Sequence, residues 1–261
     1  MSDVLHSHLP SVPWMVPALA RLPGVVPLAM RDWLSVDEVF AAQMALRDRL
    51  LAERRAAVYA MTPAAEAAAA ALLALILDQL GPAYRREGDG IMRPDGVRVP
   101  LGADPPLVTA ARLVQEDLCL HQPGPMGEHV LSGAVLCFPA SWTLSEKIGR
   151  PLSAIHAPVA PYDAQMAARV QRLFDAIRPD RPLWRQNALV YADPALHQPR
   201  PEAAPRRDAP EKGRYLRSEK QCFVRVPGSD AVVFTIHTYV LPLEALPPEA
   251  RRALPHAPSV T

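Results

Sequence analysis

The clearest alternation of apolar and polar positions lies near the C-terminus. Tyr215 to Val226 and Ala231 to Val240 are rich in β-branched and aromatic residues, and Pro227-Gly228-Ser229-Asp230 joins them as a hairpin. Alternation places Thr235, His237 and Tyr239 on one face of the last strand and Phe234, Ile236 and Thr238 on the other. Leu183 to Tyr191 reads as a further strand, with Trp184, Arg185 and Asn187 in it. Ala134 to Phe138 is a short apolar strand ended by Pro139, which removes a backbone donor. Arg93 to Val99 carries a Pro-Asp-Gly turn and reads as a small hairpin.

Helical spacing dominates elsewhere. Val39, Phe40, Met44, Leu46, Leu50 and Leu51 recur at that period as far as Tyr59, behind Ser35 and Glu38 placed as a capping box. The opposite face, with Arg47, Arg49, Glu53, Arg54 and Arg55, reads as solvated. Thr62-Pro63 with Glu66 starts a second helix that Gly81-Pro82 ends, and its middle is apolar nearly all round, as in a helix packed on several sides. A third is predicted from Pro106 to Glu116, closing on the carboxylates Glu116 and Asp117, which are either an acid–base pair or a helix-end charge pair. A fourth runs from Tyr162 to Ile177. Strands and helices in this order, without regular βαβ alternation, predict an α+β fold with a mainly antiparallel sheet, flanking helices and long Pro-rich loops.

Gly133 to Tyr162 concentrates the candidate chemistry. After the strand, Ser141 or Thr143 and Glu146 predict a short helix that Gly149-Arg150-Pro151 stops. His156 follows between Pro151 and Pro158, which predicts a stiff, non-helical presentation suited to a ligand. The plainer alternative is an imidazole that hydrogen-bonds a carbonyl beneath the loop. Pro194 to Lys212 has little periodicity and reads as an exposed insertion or lid. Pro13 to Leu28 is a proline-spaced apolar arm, whereas residues 1–12 read as a mobile tail in which His6 and His8 carry no functional weight. Residues 13–250 are taken as one domain.

Composition narrows the function classes. Lys plus Arg number 28 against 27 Asp plus Glu, a formal charge of +1, so no electrostatic case exists for nucleic acid or an anionic membrane. Thirty prolines in 261 residues predict long ordered loops over a sheet. Cys119, Cys137 and Cys222 lack metal-site spacing and sit in apolar runs, as buried thiols do, with thiolate ligation as the lesser alternative. The apolar run from Ala67 to Leu77 is shorter than the ~20 residues a membrane span needs, and no signal peptide is evident, so the expectation is a cytoplasmic protein. No GxGxxG or GKS/GKT element marks a nucleotide site.

Six elements taken together carry a resemblance. Gln115-Glu116-Asp117-Leu118, Cys137-Phe138-Pro139-Ala140-Ser141-Trp142, Glu146 to Leu152, Ile155-His156-Ala157-Pro158-Val159, Trp184-Arg185-Gln186-Asn187 and Phe234 to Val240 fall in an order and spacing that resembles the haem-dependent oxidative N-demethylase, alpha-subunit-like family. The resemblance implies a PAS-like sheet that holds haem b through a histidine and oxidatively demethylates a small secondary amine, such as dimethylamine, to a primary amine and formaldehyde. Electrons would come from separate flavin and iron-sulfur reductase subunits. On this basis His156 is the expected haem-iron ligand, Arg185 and Arg217 the expected partners of the haem carboxylates, and Glu146, Tyr162 and Tyr239 the catalytic candidates, with Lys147 and Glu116 behind them. Ala188 departs from the family, which usually has an aromatic after Asn187. The alternatives are a PAS-like haem- or ligand-sensing module and a haem-less binding protein.

Overall fold

The computed structural model describes residues 4–20, 24–156, 164–204 and 213–254. Ten strands follow in chain order: β1 Val26–Pro27, β2 Tyr59–Met61, β3 Arg85–Glu87, β4 Gly90–Met92, β5 Arg98–Pro100, β6 Asp117–Pro123, β7 His129–Val135, β8 Leu183–Tyr191, β9 Tyr215–Arg225 and β10 Val232–Pro242. The helices are α1 Pro17–Ala20, α2 Phe40–Glu53, α3 Arg55–Val58, α4 Glu66–Gln79, α5 Pro106–Ala111, α6 Leu152–His156, α7 Ala164–Ala176 and α8 Pro248–Arg252. The α+β expectation holds, with the main sheet antiparallel throughout its pairings.

That sheet has seven strands in the order β1-β8-β9-β10-β6-β7-β2, and β3-β4-β5 form a separate meander. Strands β9 and β10 pair from Val232↔Arg225 to Pro242↔Tyr215. Their turn places Gly228 at φ 69°, a conformation that a side chain would strain. Counted from β6, the five inner strands β7-β6-β10-β9-β8 stand in the order 2-1-5-4-3. A bulge between Leu120 and His121 shifts the β6–β7 register.

The two faces of the sheet have different covers. On one, Leu118, Leu120, Val135, Cys222, Val224 and Val233 join Leu50, Leu51, Leu72, Ile76, Leu107 and Val108 from α2, α4 and α5 in the largest apolar cluster. Burying each such side chain contributes roughly 1.5–3 kcal/mol, so this layer supplies most of the folding drive. The opposite face carries Cys119, Ala134 and Ile236 against Leu144, and Phe223 and Val232 against Leu152, Phe174 and Ile177. That second face is therefore roofed by the 144–156 segment and α7.

Several predicted boundaries move for identifiable reasons. The Ser35–Glu38 capping box does not form, because Ser35 N donates to Glu116 Oε1 at 2.9 Å and Asp37 Oδ1 instead accepts from Val39 N at 3.1 Å. Arg47, assigned to a solvated face, is fully buried. Its Nη2 donates to the Gln115 carbonyl at 2.6 Å, its Nη1 lies 2.9 Å from Asp117 Oδ1, and its guanidinium covers the Phe138 ring at 4.8 Å. Nη1 is not aligned for a directed hydrogen bond, so the Asp117 contact is an ion pair held by charge. Helix α5 stops at Ala111 rather than Glu116, since Gln115, Glu116 and Asp117 spend their side chains on other segments. The 144–146 turn is a 3-10 helix without a side-chain cap.

His156 is also displaced from expectation. It ends α6 instead of standing in a non-helical segment. Pro151 sits immediately before the first helical residue, where its fixed φ and missing N–H cost nothing. The strand expected at Ala134 to Phe138 shares only its first two residues with β7, which runs His129–Val135, whereas β8 spans Leu183–Tyr191 as expected and Val26–Pro27 of the arm pairs with its first residues. In the stretch expected to be an insertion or lid, Leu196 is buried and His197 Nδ1 bonds the Cys137 carbonyl at 2.8 Å, while residues 205–212 lie outside the described residues.

The buried ion pair gives a stability prediction. Asp117 also accepts from Cys137 N at 2.9 Å and Phe138 N at 2.8 Å, so Asp117→Ala leaves a buried guanidinium and two amides unpaired. Chemical denaturation of this variant should show a loss of about 3–5 kcal/mol. A loss below about 1 kcal/mol would show that the pair contributes little.

Candidate functional site

Strand pairing assembles a polar row on the roofed face of the sheet. Arg185 on β8 stands opposite Gln221 on β9, Asn187 opposite Glu219, and Glu219 opposite Thr238 on β10. The Glu219 carboxylate accepts from Arg217 Nε at 3.1 Å, Asn187 Nδ2 at 3.2 Å and Gln221 Nε2 at 3.1 Å, while Glu219 N donates to Asn187 Oδ1 at 2.9 Å. This reciprocal pairing locks β8 to β9 and fixes the direction of every side chain in the row. Arg217 also donates to the carbonyls of Leu196, at 3.1 Å, and Phe138, at 2.6 Å. Its donors are thereby committed to pinning the loops after β7 and β8.

Arg185 is less committed. Its Nε is buried without a hydrogen-bond partner, and burial pushes its pKa down against the opposing charge of Glu219. An incompletely paired guanidinium in a low-dielectric site favours an anionic ligand group. His121 Nδ1 and Thr238 Oγ1 on the same face are likewise buried and unpartnered. Phe174 packs against the His121 and His129 rings at 5.2 and 5.3 Å and edge-on to Phe223 at 5.7 Å, and Phe223 meets Phe234 at 5.0 Å. The row therefore runs beside an aromatic wall.

His156 reaches this face from the roof. Its Nδ1 lies 2.8 Å from the Leu152 carbonyl, a contact that requires the proton on Nδ1 and leaves the ring lone pair on Nε2. Burial lowers its pKa; the carbonyl bond opposes this, while the charges of Lys147 and Arg185 add to it. A neutral imidazole of fixed tautomer is the form that ligates a metal. His121, pushed down to about 3 by burial and the neighbouring His156 and His129, is neutral as well.

The remaining sequence candidates separate. Glu146 lies in the 3-10 turn Leu144–Glu146 at the roof's edge, half-buried, with Oε2 accepting from Glu202 N at 3.0 Å. Lys147 is buried, donates to the Ile155 carbonyl at 3.0 Å and pairs with Glu202, which ties the roof to the loop after β8. Tyr162 lies outside the described residues. Tyr239 stands on the opposite face of the sheet, stacked on His237 at 4.7 Å and His6 at 5.0 Å, so it shares no site with His156 and Arg185. Ala188 points to that far face too, packed with the Leu216, Leu241 and Leu246 cluster beside Trp14. The residue that departs from the family thus sits away from the polar row.

The far face carries a second cluster that periodicity did not mark. His237 Nδ1 donates to Glu116 Oε1 at 3.0 Å and its Nε2 lies 3.0 Å from Asp37 Oδ2, while His6 Nε2 lies 2.7 Å from the same oxygen. His6 is buried, although nothing in the hydropathy of its neighbours signals it. Glu116 is thereby an ion-pair partner rather than half of an acid–base pair with Asp117. Two surface clefts, beside Leu77, Tyr84 and Arg85 and beside Asp48, Arg55 and Arg112, lie apart from both clusters.

Among known proteins, a family model described as haem-dependent oxidative N-demethylase, alpha subunit-like, matches residues 24–257. No curated protein matches significantly. Among the described residues, no helix is long and apolar enough to cross a membrane.

The neutral imidazoles predict an acid-sensitive fold. A histidine with a depressed folded-state pKa stabilises above its unfolded value of ~6.5, and this is lost as pH falls from there towards the folded value. For His121, that window runs down to about 3. Melting temperature of the haem-free protein should fall steadily on acidification below about pH 6.5, and His121→Leu should flatten the slope. An unchanged slope in the variant would place the titration elsewhere.

Proposed function

The chain belongs to the haem-dependent oxidative N-demethylase, alpha subunit-like family, and on that premise we propose that it is the haem b-bearing subunit of a multi-subunit oxygenase that demethylates a small secondary amine. The single observation that carries the assignment to this face is the His156 Nδ1–Leu152 carbonyl bond, which puts the proton on Nδ1 and the lone pair on Nε2, the nitrogen assigned here to the iron. The 2-1-5-4-3 strand order supports a PAS-like sheet as the support.

The surrounding residues fit a haem. The unpartnered Arg185 Nε offers a charge-assisted bond to a propionate, and Phe174, Phe223 and Phe234 offer an apolar wall to a porphyrin edge. Arg217, whose donors are engaged within the protein, positions Glu219 and the loop carbonyls rather than reaching a ligand. Bound haem supplies dioxygen activation, and separate flavin and iron-sulfur reductase proteins supply electrons.

The chain's own residues then have defined tasks. The aromatic wall excludes water. Unpartnered His121 Nδ1 and Thr238 Oγ1 are polar groups from which an oxygen or amine substituent takes a hydrogen bond. A secondary amine is protonated in water, so a carboxylate beside the site attracts it and accepts its proton; Glu146 at the roof's edge is the residue assigned here, with Tyr162, six residues after His156 in the sequence, as a further candidate. Oxidation of the N-methyl carbon to a carbinolamine, followed by C–N cleavage, yields formaldehyde and the primary amine.

Absorption spectra of haem-loaded protein test the assignment. His156→Ala should abolish the Soret band, whereas His237→Gln, altered on the other face, should keep it. Arg185→Met should release haem faster by roughly 10–100-fold, the equivalent of about 1.5–3 kcal/mol for a bond to a charged group. A normal Soret band in His156→Ala would refute the ligand. With a reductant and dimethylamine, the wild type should form formaldehyde and Glu146→Gln much less. Full haem loading with no formaldehyde from any N-methyl amine would favour a haem-sensing module instead.

A further inference from the structure

The cluster on the far face has the form of a second metal centre. Asp37 Oδ2, His6 Nε2 and His237 Nε2 all lie within 4.8 Å of one another. The carboxylate oxygen is 2.7 Å from one imidazole nitrogen and 3.0 Å from the other. Tetrahedral zinc with bonds of about 2.0–2.1 Å holds its ligand atoms roughly 3.3 Å apart, so the two carboxylate–imidazole separations are somewhat shorter than an ion between them would need and side-chain movement would open them to admit it.

The supports of these ligands strengthen the case. His237 donates its Nδ1 proton to Glu116 Oε1 at 3.0 Å, the carboxylate–histidine relay that orients metal-binding imidazoles. Glu116 Oε2 remains buried without a hydrogen-bond partner. His6 Nδ1 lies 3.2 Å from both the carbonyl and the amide of Val240, so its ring is held in place whichever nitrogen carries the proton. Asp37 Oδ1 accepts from Gln115 Nε2 at 2.8 Å and from Val39 N at 3.1 Å, which leaves Oδ2 as the oxygen directed at the two rings. Tyr239 walls one side, and the Asp37 side chain is 17% exposed, giving the ion a route in and a water a place as fourth ligand.

We propose that His6, Asp37 and His237 form a mononuclear two-histidine, one-carboxylate site for a divalent first-row transition ion, with Zn²⁺ as the ion it takes. The ligands come from the stretch before the arm, the segment before α2, and β10, so the ion cross-links the chain's first described residues to the sheet. Binding displaces the proton that His237 otherwise shares with Asp37, so one proton is released as the metal enters. This site is independent of His156, from which the sheet separates it.

The test uses the full chain, with zinc counted by mass spectrometry apart from any haem iron. After treatment with a chelator and exposure to ZnCl₂, desalted wild type should retain one zinc per chain, and Co²⁺ should give the visible absorption of a tetrahedral site. Added zinc should raise the wild-type melting temperature. His6→Ala, in the stretch before the arm, and Asp37→Asn, near in shape to the original, should lose both the Co²⁺ band and the zinc-dependent shift. Glu116→Gln should weaken Co²⁺ binding by about 10–100-fold, and His8→Ala should leave it unchanged. No retained zinc and no Co²⁺ band in the wild type would overturn the proposal and leave a proton-bridged ion-pair network. A band that persists in both His6→Ala and Asp37→Asn would also overturn it.

Discussion

The structure depends on three consecutive side chains, Gln115, Glu116 and Asp117, where the chain enters β6. Gln115 Nε2 reaches Asp37 Oδ1 at 2.8 Å and Gln43 Oε1 at 3.1 Å, Glu116 takes His237, and Asp117 takes Arg47 together with the amides of Cys137 and Phe138. One tripeptide thereby joins the start of α2, the middle of α2, the last strand and the bend after β7. All three residues are buried, so each polar atom needs a fixed partner or costs the fold its desolvation. Such a network admits few alternative packings. Burial pushes the Asp117 carboxyl above its ordinary value even with Arg47 and two amides pulling the other way, a measure of how dry the junction is.

The two faces of the sheet carry different covers. Helices α2, α4 and α5 lie on one side, and the 3-10 turn Leu144–Glu146, α6 and α7 on the other. Buried polar atoms without partners occur on both, Arg185 Nε, His121 Nδ1 and Thr238 Oγ1 on the second and Arg47 Nε and Glu116 Oε2 on the first. Apolar packing dominates the helix-covered side, apart from the ion-pair network at its edge. Alternate residues of the same strand therefore meet different surroundings on the two faces of the sheet. On β8, Arg185 and Asn187 face the polar row while Ala188 packs beside Trp14 on the far side.

Much of this was legible from the chain. Alternation and helical spacing located β8, β9, β10 and α7, while α4 was marked by its all-round apolar run between Thr62-Pro63 and Gly81-Pro82. Alternation along β10 separated His237 and Tyr239 from Phe234 and Ile236. Arg185 lies on a strand, as its surroundings predicted, whereas His156, expected in a non-helical segment, ends α6. The order of six short elements pointed to the family, which the match over residues 24–257 establishes.

Only tertiary structure decided the partners of the polar residues. Arg47 falls on the polar side of a hydropathy pattern, yet it is buried because Asp117, far along the chain, neutralises it. His6 sits in a stretch without periodicity and is buried because Asp37 and Val240 receive it. The capping box of Ser35 and Glu38 is locally sound and loses to Glu116, whose buried carboxylate gains more from the Ser35 amide than an exposed cap would. Local patterns report the average environment of a helix or strand face, and they determined the sheet and its flanking helices here. Pairing between distant charges depends on which faces meet, and that is settled only when the layers pack.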